Sequence, residues 1–266
     1  MSNEYTKDLY LDLLKRALVN WLYMDDEVKP LLPRKISYVL TTLTGIRITV
    51  PRNVDTTKRE SGDDWPVIGH SMIGLKRMSN LQRCVEDVLE NNVPGDLIET
   101  GVWRGGACIF MRGVLKAHGV TDRKVWVADS FRGLPFPNVR KYPADKSSLF
   151  FLARSLVVPL ETVKANFDKY GLLDDQVVFL KGWFKDTLPA APIGKLAVMR
   201  LDGDMYESTM DALKSLYPKL SPGGYAIIDD YAIPACKQAV EDYCRARSIE
   251  DKIVPIDGGG AFWKKA

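Results

Sequence analysis

From residue 5 to 24, apolar side chains recur at helical spacing. Leu11, Leu14, Leu18, Trp21 and Leu22 form one stripe, which predicts an amphipathic helix. Residues 25–66 lose that period and gain Pro, Thr and Asp, the pattern of an extension built from short elements and loops. Helical spacing returns over 71–92. From Gly95 onward, short apolar runs alternate with amphipathic stretches. The runs are DLIET (96–100), KVWVADS (124–130), QVVFLKG (176–182), KLAVMRLD (195–202) and GGYAIIDD (223–230). A final hairpin is predicted around the glycines of KIVPIDGGGAFWKK. Alternation of this kind means an α/β fold, a parallel sheet covered by helices on both faces, with ligands beyond the carboxyl ends of its strands. The expected organisation is an N-terminal helical extension and lid, 1–94, on a catalytic domain, 95–266, the two forming one unit. Residues 131–175 are expected to form a helical insertion near the active edge.

Composition narrows the classes. The 266 residues are 46% hydrophobic and 27% charged, ordinary for a globular enzyme. A net charge of +3 with scattered Lys and Arg gives no reason to expect nucleic acid or an anionic membrane as partner. No window has the run of roughly 18 apolar residues that a membrane span needs, and the first ten residues lack a secretion pattern, so a cytoplasmic protein is expected. Cys84, Cys108, Cys236 and Cys244 show no C-x-x-C spacing, and His70 and His118 are the only histidines, so no Cys/His zinc site is expected.

The chemistry-bearing residues cluster where predicted strands end. Glu99 closes the first run, and Thr100 and Gly101 lead into a turn whose glycines lie at 101, 105 and 106. This is not G-x-G-x-x-G, and a carboxylate there would repel a pyrophosphate while suiting an amino group. Asp129 and Ser130 end the second run, where a carboxylate can accept hydrogen bonds from ribose hydroxyls. Gly182, Trp183 and Phe184 follow the third, the aromatics being candidate walls for a purine. A nucleoside carrying an amino acid, S-adenosylmethionine, fits these residues together. Asp202 ends the fourth run, and Asp229 and Asp230 end the fifth. Strand neighbours stand about 4.8 Å apart, so these carboxylates need a positive partner. A hard cation such as Mg²⁺, held by Asp202, Asp229 and Asp230, provides one; the alternatives are protonation of one aspartate or neutralisation by Arg200 or a lysine. With a cation there, an acceptor hydroxyl would be acidified and Asp202 would be its base. Asp204 and Glu207 match a capping box, which gives Asp204 a structural role.

HSMIGLKRMSNLQ, LIETGVWRGGACIFMRGVL, ADSFRGLP and MRLDGDMYESTMDALKSLYPKLSPGGYAIIDDY, read together, resemble the macrocin O-methyltransferase family, bacterial sugar O-methyltransferases of macrolide and novobiocin-type antibiotic pathways. The resemblance implies a class I methyltransferase fold with a mostly parallel seven-stranded sheet, S-adenosylmethionine, Mg²⁺, and a glycosylated natural product methylated on a sugar hydroxyl. It also implies a homodimer or higher oligomer. Carried over by motif, Asp202, Asp229 and Asp230 would be metal ligands, with Asp202 also the base. Glu99, Gly101, Asp129, Ser130 and Trp183 would line the cofactor site, joined by Met72 and Ile73 of SMIG. Three other readings are a catechol-like phenol methyltransferase, an NAD-binding oxidoreductase and a non-catalytic cofactor-binding module. His70 and the aromatics Phe131, Phe136, Tyr142, Phe150 and Phe151 either touch acceptor or pack.

Overall fold

The computed structural model describes residues 3–266. The N-terminal extension comprises α1 (Asn3–Leu18), an antiparallel pair β1 (Val28–Pro30) and β2 (Thr49–Pro51) flanking α2 (Arg34–Thr44), and α3 (Thr56–Ser61). Residues 25–66 are therefore more ordered than their periodicity suggests. The predicted first helix stops at Leu18. Leu11, Leu14 and Leu18 are buried as expected, but Leu22 is exposed beyond the helix end.

α4 (Gly74–Glu90) leads into the α/β unit: β3 (Asp96–Thr100), α5 (Gly106–Ala117), β4 (Val125–Asp129), α6 (Leu160–Lys169), β5 (Val177–Lys181), α7 (Phe184–Thr187), β6 (Leu196–Leu201), α8 (Tyr206–Leu216), β7 (Leu220–Ile228), α9 (Pro234–Ala246), β8 (Val254–Pro255) and β9 (Ala261–Lys264). The sheet runs β5-β4-β3-β6-β7-β9-β8. Its first five strands are parallel, and β9 pairs antiparallel with both neighbours, as the closing hairpin predicts. The chain order of the strands reverses at β3 and β6, which places a crevice above those two tips.

Alternation along the strands splits the core. On one face Leu97, Val125, Val127 and Val198 pack with Val85, Ile109 and Val114, and Leu11, Leu14 and Leu18 belong to the same cluster. The other face joins Ile98, Met199 and Ile228 to Leu213, Leu216 and Val240 of α8 and α9. The N-terminal helix is thus part of the main core. It packs so closely on α5 that a side chain at Gly113 would strike Leu14.

The insertion differs from expectation. Residues 131–175 hold one α-helix, α6, preceded by three short 3₁₀ turns at Pro143–Ser147, Phe150–Leu152 and Arg154–Leu156. Prolines at 135, 137, 143 and 159 interrupt longer helices.

Candidate active site

A cavity of about 530 Å³ opens above the tips of β3 and β6. Register explains its floor. Glu99 of β3 lies beside Arg200 of β6, and both side chains project to the same face. Arg200, 1% exposed, donates to Glu99, to Asp202 (2.9 Å) and to Asp229. Cys108 donates to the second Glu99 oxygen at 2.9 Å. Burial raises the Glu99 pKa and Arg200 opposes the rise.

The glycine turn is fitted against its surroundings. Gly101 has φ +82°, and a Cβ there would overlap the carbonyl oxygen of Asp202. That close approach lets the Asp202 N–H donate to the Thr100 carbonyl at 2.9 Å. At Gly106 a Cβ would overlap the backbone of His70 and the side chain of Ser71. The SMIG segment therefore crosses the N-terminus of α5, and Met72 and Ile73 line the cavity. Asp129 lines it too, accepting from the Val102 N–H at 2.8 Å and the Phe131 N–H at 2.6 Å, and so pins two loops. Burial raises its pKa against those bonds. Ser130 and Trp183 complete that end. Thr100 and Gly182 do not reach the cavity wall. Side-chain alternation turns Thr100 to the face opposite Glu99, where it is fully buried with an unpaired hydroxyl. Gly182 backs onto Thr187.

The carboxylates are arranged differently from the expected trio. Oxygens of Asp202, Asp204 and Asp230 all lie within 4.8 Å of one another. Asp229 is buried and committed to two arginines, Arg200 and Arg77, the latter at 2.9 Å; Arg77 also reaches Asp257 at 2.8 Å. The expected capping box is absent. α8 begins at Tyr206 with Met205 at its N-cap, and Asp204 has φ +56° with its N–H donating to Asp230 at 2.9 Å. Asp145, from the 131–175 insertion, caps the helix instead, accepting from the N–H groups of Tyr206 (2.7 Å) and Glu207 (3.0 Å). That long-range cap leaves the Asp204 carboxyl free for the cavity, which a local motif cannot reveal.

Burial and mutual repulsion raise the proton affinity of the cluster. Burial, then Asp230 and Asp229, push Asp204 up to about 8. Burial and Asp229 push Asp230 up to about 6, and burial with both Asp229 and Asp230 drives Asp202 well above the usual carboxylate range. A divalent cation would relieve this repulsion, and an all-carboxylate donor set suits Mg²⁺.

The cavity wall beyond the cluster was only partly legible in the sequence. Phe136 and Phe150 line it, whereas Phe131 and Tyr142 are buried in packing and Phe151 stacks edge-on with Phe136 at 4.9 Å. His70 lines it with Nδ1 2.7 Å from the Tyr170 hydroxyl. Burial, Lys169 and Arg104 bring His70 down to about 4, so it is neutral near pH 7 and a poor base. Sequence reading missed Trp65, Lys185 of α7, and Ser208 and Asp211 of α8, which carry no shared motif.

A family model described as macrocin O-methyltransferase (TylF) matches residues 7–265. The chain belongs to that family. A Streptomyces olivaceus 8-demethyl-8-(2,3-dimethoxy-α-L-rhamnosyl)-tetracenomycin-C 4'-O-methyltransferase is 53% identical over 98% of this chain and 94% of its own length. A Micromonospora griseorubida mycinamicin III 3''-O-methyltransferase is 51% identical over the full length of both. The solved structure of the O-methyltransferase NovP superposes with a TM-score of 0.86 at 48% identity, covering 98% of this chain and 99% of that one. The sheet is thus that of a class I methyltransferase, and the protein is an S-adenosylmethionine-dependent O-methyltransferase. Among the described residues no helix is long and apolar enough to cross a membrane.

Proposed function

We propose that this enzyme moves the methyl group of S-adenosylmethionine to a sugar hydroxyl of a glycosylated natural product, assisted by Mg²⁺. The observation that carries the reading is one cavity holding both the Glu99–Gly101–Asp129 cradle and the Asp202–Asp204–Asp230 cluster. The relatives' acceptors, a rhamnosyl tetracenomycin, mycinamicin III and demethyldecarbamoylnovobiocin, support the substrate class.

Glu99 would hold the amino group of the cofactor, Asp129 the ribose hydroxyls, and Trp183 one side of the base. Met72, Ile73, Gly101 and Ser130 would shape the remaining walls. Asp202 and Asp230 would hold Mg²⁺, which supplies Lewis acidity toward acceptor hydroxyls. Asp229 would join them by releasing one arginine, and otherwise Asp204 stands in its place. Asp202 takes the acceptor proton in this scheme, with Asp204 the second candidate for base. Alignment of acceptor oxygen and methyl carbon by these fixed walls would supply much of the rate. Exposed apolar side chains on α1 (Tyr5, Leu9, Leu13) and α2 (Ile36, Val39, Leu43) support self-association.

The test is calorimetric titration of metal-stripped enzyme with S-adenosylhomocysteine, using NAD as control, followed by turnover of the three relatives' acceptors and a catechol with Mg²⁺ or EDTA. Binding of the first ligand alone, glycoside methylation that stops in EDTA, and loss of turnover in Asp202→Asn with S-adenosylhomocysteine binding retained are the expected results. Methylation of catechol only would refute the substrate class. Full activity in EDTA would refute the cation, and full activity of Asp202→Asn would pass the base role to Asp204.

A further inference from the structure

We infer that the cavity face of α8, formed by Glu207, Ser208 and Asp211, is a carbohydrate-reading subsite that binds acceptor sugar hydroxyls beside the one that is methylated. This rests on the glycoside reading given above and adds how the sugar is recognised.

α8 starts two residues after Asp204, so it leads away from the carboxylate cluster along the cavity wall. Glu207 and Asp211 are one turn apart and share a face, separated by about 6 Å along the axis. Both line the cavity, and among the described residues neither side chain makes a hydrogen bond or ion pair. By contrast, Asp145 caps α8 and Asp242 accepts from Tyr206. Burial raises the pKa of both Glu207 and Asp211.

Ser208 supplies an independent observation. It is 7% exposed and lines the same cavity, and its hydroxyl has no hydrogen-bond partner among the described residues. It stands against Gly203, between Asp202 and Asp204. The residue is buried, and its hydroxyl opens on the cavity, where an incoming hydroxyl can complete it.

The chemistry of the wall selects the ligand. Two acceptor-only carboxylates and one hydroxyl match a ring rich in hydroxyl donors. Lys185 shares the cavity and, with Lys141, offsets the charge on both acids, which favours a neutral polyol over an ammonium group. The apolar lining also includes Trp65, Phe136, Phe150 and Leu156, which come from segments other than α8. The sugar edge therefore faces α8 and the aglycone packs on the aromatic side.

Steady-state kinetics of Glu207→Ala, Glu207→Gln, Asp211→Ala and Ser208→Ala on the three relatives' acceptors test this, with S-adenosylhomocysteine affinity measured in each variant. We expect acceptor KM to rise roughly tenfold in both carboxylate-to-alanine variants, about one hydrogen bond to a charged group. Turnover at saturation and S-adenosylhomocysteine affinity should change little, and Glu207→Gln should recover most of the loss because its amide oxygen still accepts. Acceptor KM within twofold of native in both alanine variants overturns the proposal, as does a loss expressed in S-adenosylhomocysteine affinity instead. A Glu207→Gln defect equal to that of alanine overturns it in favour of an ammonium site. Failure of the native enzyme on every glycoside would show in the native control as failure of the glycoside reading, and this proposal would fall with it.

Discussion

Replacing Arg200 with Met would remove the guanidinium that joins Glu99, Asp202 and Asp229 while roughly keeping its length. The side chain is 1% exposed and Glu99 beside it 3%, so neither charge can turn to water. Breaking a buried pair on one side costs about 3–5 kcal/mol, because the remaining charge is left uncompensated. For a chain of this size that corresponds to a fall in Tm on the order of 10 °C. The pH dependence separates this cause from simple loss of packing. Burial already raises the Glu99 pKa against the pull of Arg200. Without the arginine the folded value rises further above the unfolded one, so the folded state binds more protons. Stability then falls as pH rises between those two values. The gap between variant and native enzyme should thus be wider at pH 8 than at pH 5. Urea unfolding of both proteins in EDTA at the two pH values measures it. A gap below about 1 kcal/mol, or one equally large at both pH values, would refute the view that Arg200 neutralises these carboxylates.

Gly101→Ala should abolish tight S-adenosylhomocysteine binding in calorimetry, because its Cβ would displace the Asp202 backbone; the positive φ alone costs about 1–2 kcal/mol, and native-like affinity would show the turn is looser than described. Glu27 is buried and accepts from Arg59, Asn20 and Arg52. Burial pushes its pKa up, but these bonds outweigh burial and hold it below the usual value. Its charge therefore stabilises the fold above the ordinary Glu range, and that contribution is lost as pH falls through the depressed value. Glu27→Gln should accordingly lose about 3 kcal/mol at pH 7 and approach native stability as pH falls through that depressed value, as followed by chemical denaturation; a constant difference would sink the argument.

The strand-and-helix order from Gly95 was legible because strands buried on both faces read as unbroken apolar runs and their covering helices as amphipathic ones. The closing hairpin was legible from its glycines. Residues 25–66 were not, since β1 and β2 are three residues each, too short to show a period, and Arg59 and Glu27 meet across 32 positions. Glu99, Gly101 and Asp129 could be placed together because the ends of neighbouring parallel strands converge.

By itself, then, the sequence determined the sheet, the edge where chemistry gathers, and most of the acids that gather there, since these follow from local period and strand ends. Tertiary structure alone decided how those acids are shared. Asp229 went to Arg200 and Arg77 because β7 pairs with β6, which carries Arg200, while α4, which carries Arg77, packs against both strands. Asp204 joined Asp202 and Asp230 because Asp145, 59 positions earlier in the chain, took over the capping of α8. Charge pairing and helix capping depend on which groups meet across the fold, and spacing along the chain does not encode those meetings.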